Sequence, residues 1–103
     1  MDTTISPAQE KAHKLVELQV RYAPAPKPLI DHHPDPSETI GALRERAKTF
    51  FGVTDTTLPN GDRILFYLIF GRERLENDAA TVASVVGGDP APHFQLAKQH
   101  IQG

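Results

Sequence analysis

The run Arg63-Ile-Leu-Phe-Tyr-Leu-Ile-Phe70 restricts the possible folds most, because its β-branched and aromatic residues favour an extended chain and both of its alternating faces are apolar. It predicts a strong strand that a tight Asn60-Gly61 turn introduces. Upstream, Ile40, Leu43, Ala47 and Phe50 recur at three- and four-residue spacing while Arg44, Glu45, Arg46 and Lys48 occupy the other side, the pattern of an amphipathic helix over 37–51. Ser37 or Thr39 is placed to cap it, Glu38 suits the positive end of its dipole, and Gly52 can take the left-handed conformation that ends it.

Ahead of the helix, Val16, Leu18, Val20 and Tyr22 alternate with Glu17, Gln19 and Arg21, which predicts a half-buried strand over 14–22. Pro24, Pro26 and Pro28 then force a turning path, and Leu29 to His33 is apolar enough to return as a second strand, giving an antiparallel hairpin with a long tip. Thr81 to Val86 has the spacing of one helical turn, and Pro92 to Lys98 alternates again as a last strand. One helix across one face of an antiparallel and mixed sheet is an α+β arrangement.

The segment Asp31-His-His-Pro-Asp35 offers imidazoles and carboxylates of the kind that bind zinc or manganese, and a strand ending in Asp-His-His resembles the signature of the DHH phosphoesterases. A chain of 103 residues is one domain with one modest core, too short for a two-metal cleft between lobes. His13, His93 and His100 are scattered singly, so no second ligand cluster accompanies the first. The expectation is therefore no metal and no cofactor. With 11 Lys+Arg against 13 Asp+Glu and no basic block, the electrostatic footprint of a nucleic-acid binder is missing. The lack of cysteine excludes disulfides and thiol catalysis. No apolar run approaches the ~20 residues of a membrane span, and the first residues lack the regions of a signal peptide, so a soluble cytoplasmic protein with no membrane partner is expected.

Two segments resemble the ubiquitin family. Asp35-Pro-Ser-Glu-Thr-Ile40 is similar to the Glu-Pro-Ser-Asp-Thr-Ile that opens ubiquitin's helix, with Gly52-Val53 at the same distance downstream as ubiquitin's Gly-Ile. After an insertion, Leu68-Ile-Phe-Gly-Arg-Glu-Arg-Leu-Glu-Asn-Asp78 resembles ubiquitin's Leu-Ile-Phe-Ala-Gly-Lys-Gln-Leu-Glu-Asp-Gly, and Thr81-Val-Ala-Ser-Val85 follows where ubiquitin has Thr-Leu-Ser-Asp-Tyr. The resemblance implies a β-grasp domain over 14–103, preceded by a flexible N-terminal arm over 1–13 and ending in a tail over 99–103. It is weakest in the proline-rich hairpin, and the divergence of hairpin and tail points to a bacterial-type system with its own enzymes.

The family's working end is a C-terminal glycine carboxylate, which ATP-dependent adenylation activates before it passes to a thioester and then to a target amine. Gly103 matches the final glycine, Gln102 stands where ubiquitin has the other, and Gln99 and Ile101 replace its tail arginines. The resemblance thus implies a protein that supplies an acyl group and has no catalytic residue, a conjugation tail of Ile101, Gln102 and Gly103, and as partners an activating enzyme, a conjugating enzyme, a deconjugating peptidase and target proteins. Arg44, Arg46 and Glu73 stand where ubiquitin has chain-forming lysines, so chains of its kind are not implied. A second expected surface is the sheet face away from the helix. If Ile64, Phe66, Leu68 and Phe70 face the helix with Phe94 and Leu96, then Leu65, Tyr67, Ile69 and Ala97 face outward by period two, and Ile69 and Ala97 match ubiquitin's apolar recognition patch. The alternative is a β-grasp interaction module that is not conjugated and binds a partner through its sheet face or edge.

Overall fold

A computed structural model describes residues 15–103, so the expected arm over 1–13 lies outside the described residues. The elements in order are β1 (Leu18–Tyr22), β2 (Leu29–Asp31), α1 (Ile40–Phe51), β3 (Thr56–Thr57), β4 (Arg63–Phe70), β5 (Glu73–Leu75), α2 (Val82–Val86) and β6 (His93–Ile101). The sheet runs β2-β1-β6-β4-β3, with β5 also pairing β4. β1 and β6 are parallel, and the other pairs are antiparallel. This is the expected α+β sheet with a helix across it, extended by β3 and β5, two strands too short to show a period of two.

The core forms where α1 lies on the sheet. Ile40, Leu43 and Ala47 of α1 meet Leu18, Val20, Leu29, Phe66, Leu68, Phe94 and Leu96, while Val82 and Val86 of α2 close one end. The expected inward set of β4 and β6 is thus buried, with Ile64 and Phe70 packed at its margins. Tyr22 reaches over to Phe51 and Phe66, with ring centroids 5.4 and 6.0 Å away.

Four expectations need correction. Val16 is 58% exposed and Leu15 packs against the core in its place, because the Val16 and Glu17 amides both donate to the Pro90 carbonyl and β1 begins only at Leu18. Phe50 is 54% exposed, and Phe51 turns toward the core from the last turn of α1. Lys48, expected on the wet side, is only 6% exposed, its Nζ lying 2.7 Å from Glu45 and 3.4 Å from Asp55. Its stem covers apolar surface while the ammonium finds carboxylates at the rim. Finally β2 stops at Asp31 and α1 starts at Ile40, each shorter than expected, because Asp31 and Asp35 each accept from a backbone amide two residues on and bend the chain between them.

The two segments that carry the ubiquitin resemblance are joined to each other. Thr39 caps α1 by accepting from the Ala42 amide, and Thr81 caps α2 by accepting from the Ser84 amide. The free amides of each helix start then cross over: Ile40 and Gly41 donate to the Ala80 and Asp78 carbonyls, and Val82 and Ala83 to those of Glu38 and Pro36. Helix N-termini leave several amides without intrahelical partners, and here each helix supplies what the other lacks. At the far end Gly52 has φ 72°, and its amide and that of Val53 return to α1 carbonyls, so the cap requires the left-handed conformation.

Candidate functional site

The carboxyl-terminal tail comes off β6 at the rim of the sheet. Its placement corrects the expectation that regular structure ends near Lys98: β6 continues to Ile101, with Gln99, His100 and Ile101 opposite Leu65, Ile64 and Arg63 of β4. Apolar alternation fades there, but β4 still offers an unoccupied edge, and backbone pairing does not depend on side chains. Gln102 and Gly103 follow the strand.

Gly103 meets the turn that starts β4. In that turn the Leu58 amide donates to the Asp62 carbonyl, the Gly61 amide donates to the Leu58 carbonyl, and the Asn60 side chain accepts from the Asp62 amide at 2.9 Å. This orients the Asp62 carboxylate toward the end of β6, where one oxygen accepts from the Gly103 amide at 2.9 Å and the other lies 2.8 Å from His100 Nε2. The Gly103 N–H and, second to it, the His100 ring hold the Asp62 carboxyl below its ordinary range. Sequence reasoning missed Asp62 and His100. The Asn60-Gly61 turn signal was visible, but nothing local ties residue 62 to residue 100.

The second candidate surface is the sheet face opposite α1. Register places Leu65 beside Gln99, Tyr67 beside Ala97 and Ile69 beside Gln95, so the four expected partner-binding residues share one face. All four are half-buried. Arg74 of β5, missed by sequence reasoning, stacks its guanidinium 4.1 Å from the Tyr67 ring centre and screens part of this face. The side-chain oxygen of Gln99 is buried and has no hydrogen-bond partner among the described residues. At the other end Ile69 borders a hollow of about 400 Å³ that Arg21, His93 and Gln95 also line.

The Asp-His-His segment lies at the β2 edge, away from both regions. Asp31 pairs with Arg46 at 3.0 Å and accepts from the His33 amide at 2.8 Å, whereas His32 is exposed and 3.6 Å from Glu17. Among the described residues no three His, Cys, Asp or Glu side chains come together in a metal-binding group. The Arg46 guanidinium also chelates Glu38 at 2.8 and 3.1 Å, so the acidic groups here tie α1 to β2. Among the described residues no helix is long and apolar enough to cross a membrane.

No protein-family model matches the sequence, and no curated protein matches it. Solved structures do match its fold. A structure described as "Caldiarchaeum Subterraneum Ubiquitin" superposes with a TM-score of 0.59 at 20% identity, covering 85% of this chain and 98% of the other. One described as "Molecular Mimicry of SUMO promotes DNA repair" gives 0.56 at 21% identity, covering 82% and 92%. Nearly the whole of each known chain is thus contained in this one. Together with the mixed sheet, the long helix α1 across it and the interlocked helix starts, these similarities assign the chain the ubiquitin-like β-grasp fold.

Proposed function

We propose that the protein is a ubiquitin-like modifier whose Gly103 carboxylate, encoded as the end of the chain or exposed by a peptidase, is attached to amines of target proteins. The observation that supports this most is a ubiquitin-like fold that carries a glycine two residues beyond its last strand. The chain supplies an acyl group and its partners supply the catalysis. In the activating enzyme the Gly103 carboxylate attacks the α-phosphorus of ATP, forming an acyl-adenylate and releasing pyrophosphate. A cysteine thiolate then attacks the acyl carbon and AMP leaves. Transfer to a conjugating-enzyme thiol and attack by a target amine follow, each expelling a thiol and the last forming an amide. A glycine suits the first step because without a Cβ the carboxylate can approach the nucleotide closely. The outward face of Leu65, Tyr67, Ile69 and Ala97 serves as the docking surface for these partners.

A second reading, a β-grasp interaction module that is not conjugated, is favoured by the pairing of β6 as far as Ile101 and by the contact of Gly103 with Asp62, which leave little free tail. One experiment separates the two. The chain is incubated with ATP and any activating-enzyme-like protein encoded near it, and a thiol-sensitive adduct is sought. The modifier forms one and its Gly103-deleted form does not. An adduct that survives the deletion, or no adduct with any enzyme encoded nearby, leaves the interaction module as the account.

A further inference from the structure

We infer that Asp62 is a positioning residue that latches the last glycine of the tail onto the Asn60-Gly61 turn, so that an enzyme taking the chain end in extended form must first open it. Both carboxylate oxygens are engaged, one by the Gly103 amide at 2.9 Å and the other by His100 at 2.8 Å. The carboxylate is also fixed from below: the Asp62 amide donates to Asn60 at 2.9 Å, and the Asp62 carbonyl accepts from Leu58 at 2.7 Å. Its side chain is only 15% exposed although it sits in a surface turn.

Packing at the other end of the latch is equally specific. A Cβ built on Gly103 would overlap the Gly61 carbonyl group, so a side chain there would force the two backbones apart. Gly61 itself has φ 92°, so the turn brings its backbone outward where a residue with a side chain would be strained. Two glycines therefore touch backbone to backbone, with Asp62 bridging them. The contact as it stands has room only for a glycine at 103, independently of any acyl chemistry. Charge-assisted hydrogen bonds of this kind are among the stronger ones in proteins. Holding back an activating enzyme is the consequence that rests on the modifier reading, whereas the latch itself does not.

The test uses the 103-residue chain and two readouts that need no cognate enzyme: hydrogen exchange of the Gly103 amide, followed by NMR, and release of Gly103 by a carboxypeptidase. Asp62→Ala should raise both rates roughly tenfold or more, the scale of one lost charge-assisted bond. Asp62→Asn, which keeps an acceptor for the Gly103 amide, should recover part of the protection. His100→Ala reaches the same carboxylate from β6 without touching the turn, and should raise the rates by a smaller factor. Far-UV circular dichroism of each variant establishes that the domain is folded. A wild-type Gly103 amide that exchanges at the rate of a free chain end, or an Asp62→Ala variant with wild-type rates in both assays, overturns the latch. If both rates rise as expected while neither wild type nor Asp62→Ala is adenylated by an activating enzyme, the latch stands and the modifier reading falls.

Discussion

Leu43→Ala tests the packing of α1 on the sheet. Leu43 is completely buried, one turn after Ile40 and one before Ala47, in a core shared with Leu68 and Leu96. Cutting an isobutyl group to a methyl there removes its transfer free energy and leaves a cavity, which together cost about 2–5 kcal/mol. Because no solvent reaches the site and three elements surround it, about 3 kcal/mol is a reasonable centre. Domains of this size hold about 5–15 kcal/mol, so the variant should remain folded but melt roughly 12–24 °C lower, at about 4–8 °C per kcal/mol. Urea unfolding followed by far-UV circular dichroism should show a lower midpoint with an unchanged slope. Phe50→Ala supplies the internal comparison. Its ring is more than half exposed and meets Phe51 edge-on at 5.0 Å, so its loss should cost about 1 kcal/mol or less. A Phe50→Ala variant as damaged as Leu43→Ala would mean that the helix is rotated from the phase described.

Lys48→Ala should cost about 1–2 kcal/mol in the same urea assay, less than for a fully enclosed ion pair because Glu45 and Asp55 both reach solvent; an unchanged midpoint would show that the Lys48 stem covers nothing of consequence. In acid, Asp78 and Asp62 are lowered in the folded state, Asp78 chiefly by its hydrogen bonds to Arg44 and Asp62 by the Gly103 amide and then His100. Their contribution is therefore present above the unfolded carboxyl value of about 3.9 and is lost as pH falls through the lower folded values. Asp78→Asn should flatten the acid limb of stability below about pH 4, and an unaltered limb counts against the Arg44 pair. The double variant His32→Ala, His33→Ala should melt within about 1 °C of wild type and bind no stoichiometric zinc, since both rings are exposed; tight metal in the wild type alone would reverse that view. Ile69→Ala should cost under about 1 kcal/mol in stability while weakening partner capture, and equal capture by both proteins would remove Ile69 from the docking surface.

Much of the fold is legible because burial imposes a period on the sequence. Ile40, Leu43 and Ala47 announce a helix, Arg63 to Phe70 a strand, Thr39 and Thr81 the starts of helices and Gly52 an end, since each follows from contacts within a few residues. Those local signals also fix which side of β4 meets the core, and hence that Leu65, Tyr67, Ile69 and Ala97 share the other. The early end of β2 and late start of α1 come from the local turns of Asp31 and Asp35, but three other misplacements fall where a distant partner overrides a local preference. Leu15 replaces Val16 because Pro90 holds the two preceding β1 amides, Lys48 is buried because Asp55 waits beyond the helix end, and β6 runs on to Ile101 because β4 is long enough to pair it. Chain proximity could not reveal the crossed caps at Ile40 and Val82 or the meeting of Asp62, His100 and Gly103, whose partners lie about forty residues apart. Periodicity records which face of an element is buried and says nothing of which element buries it. That pairing is a property of the assembled sheet, and it alone decides where the tail lies.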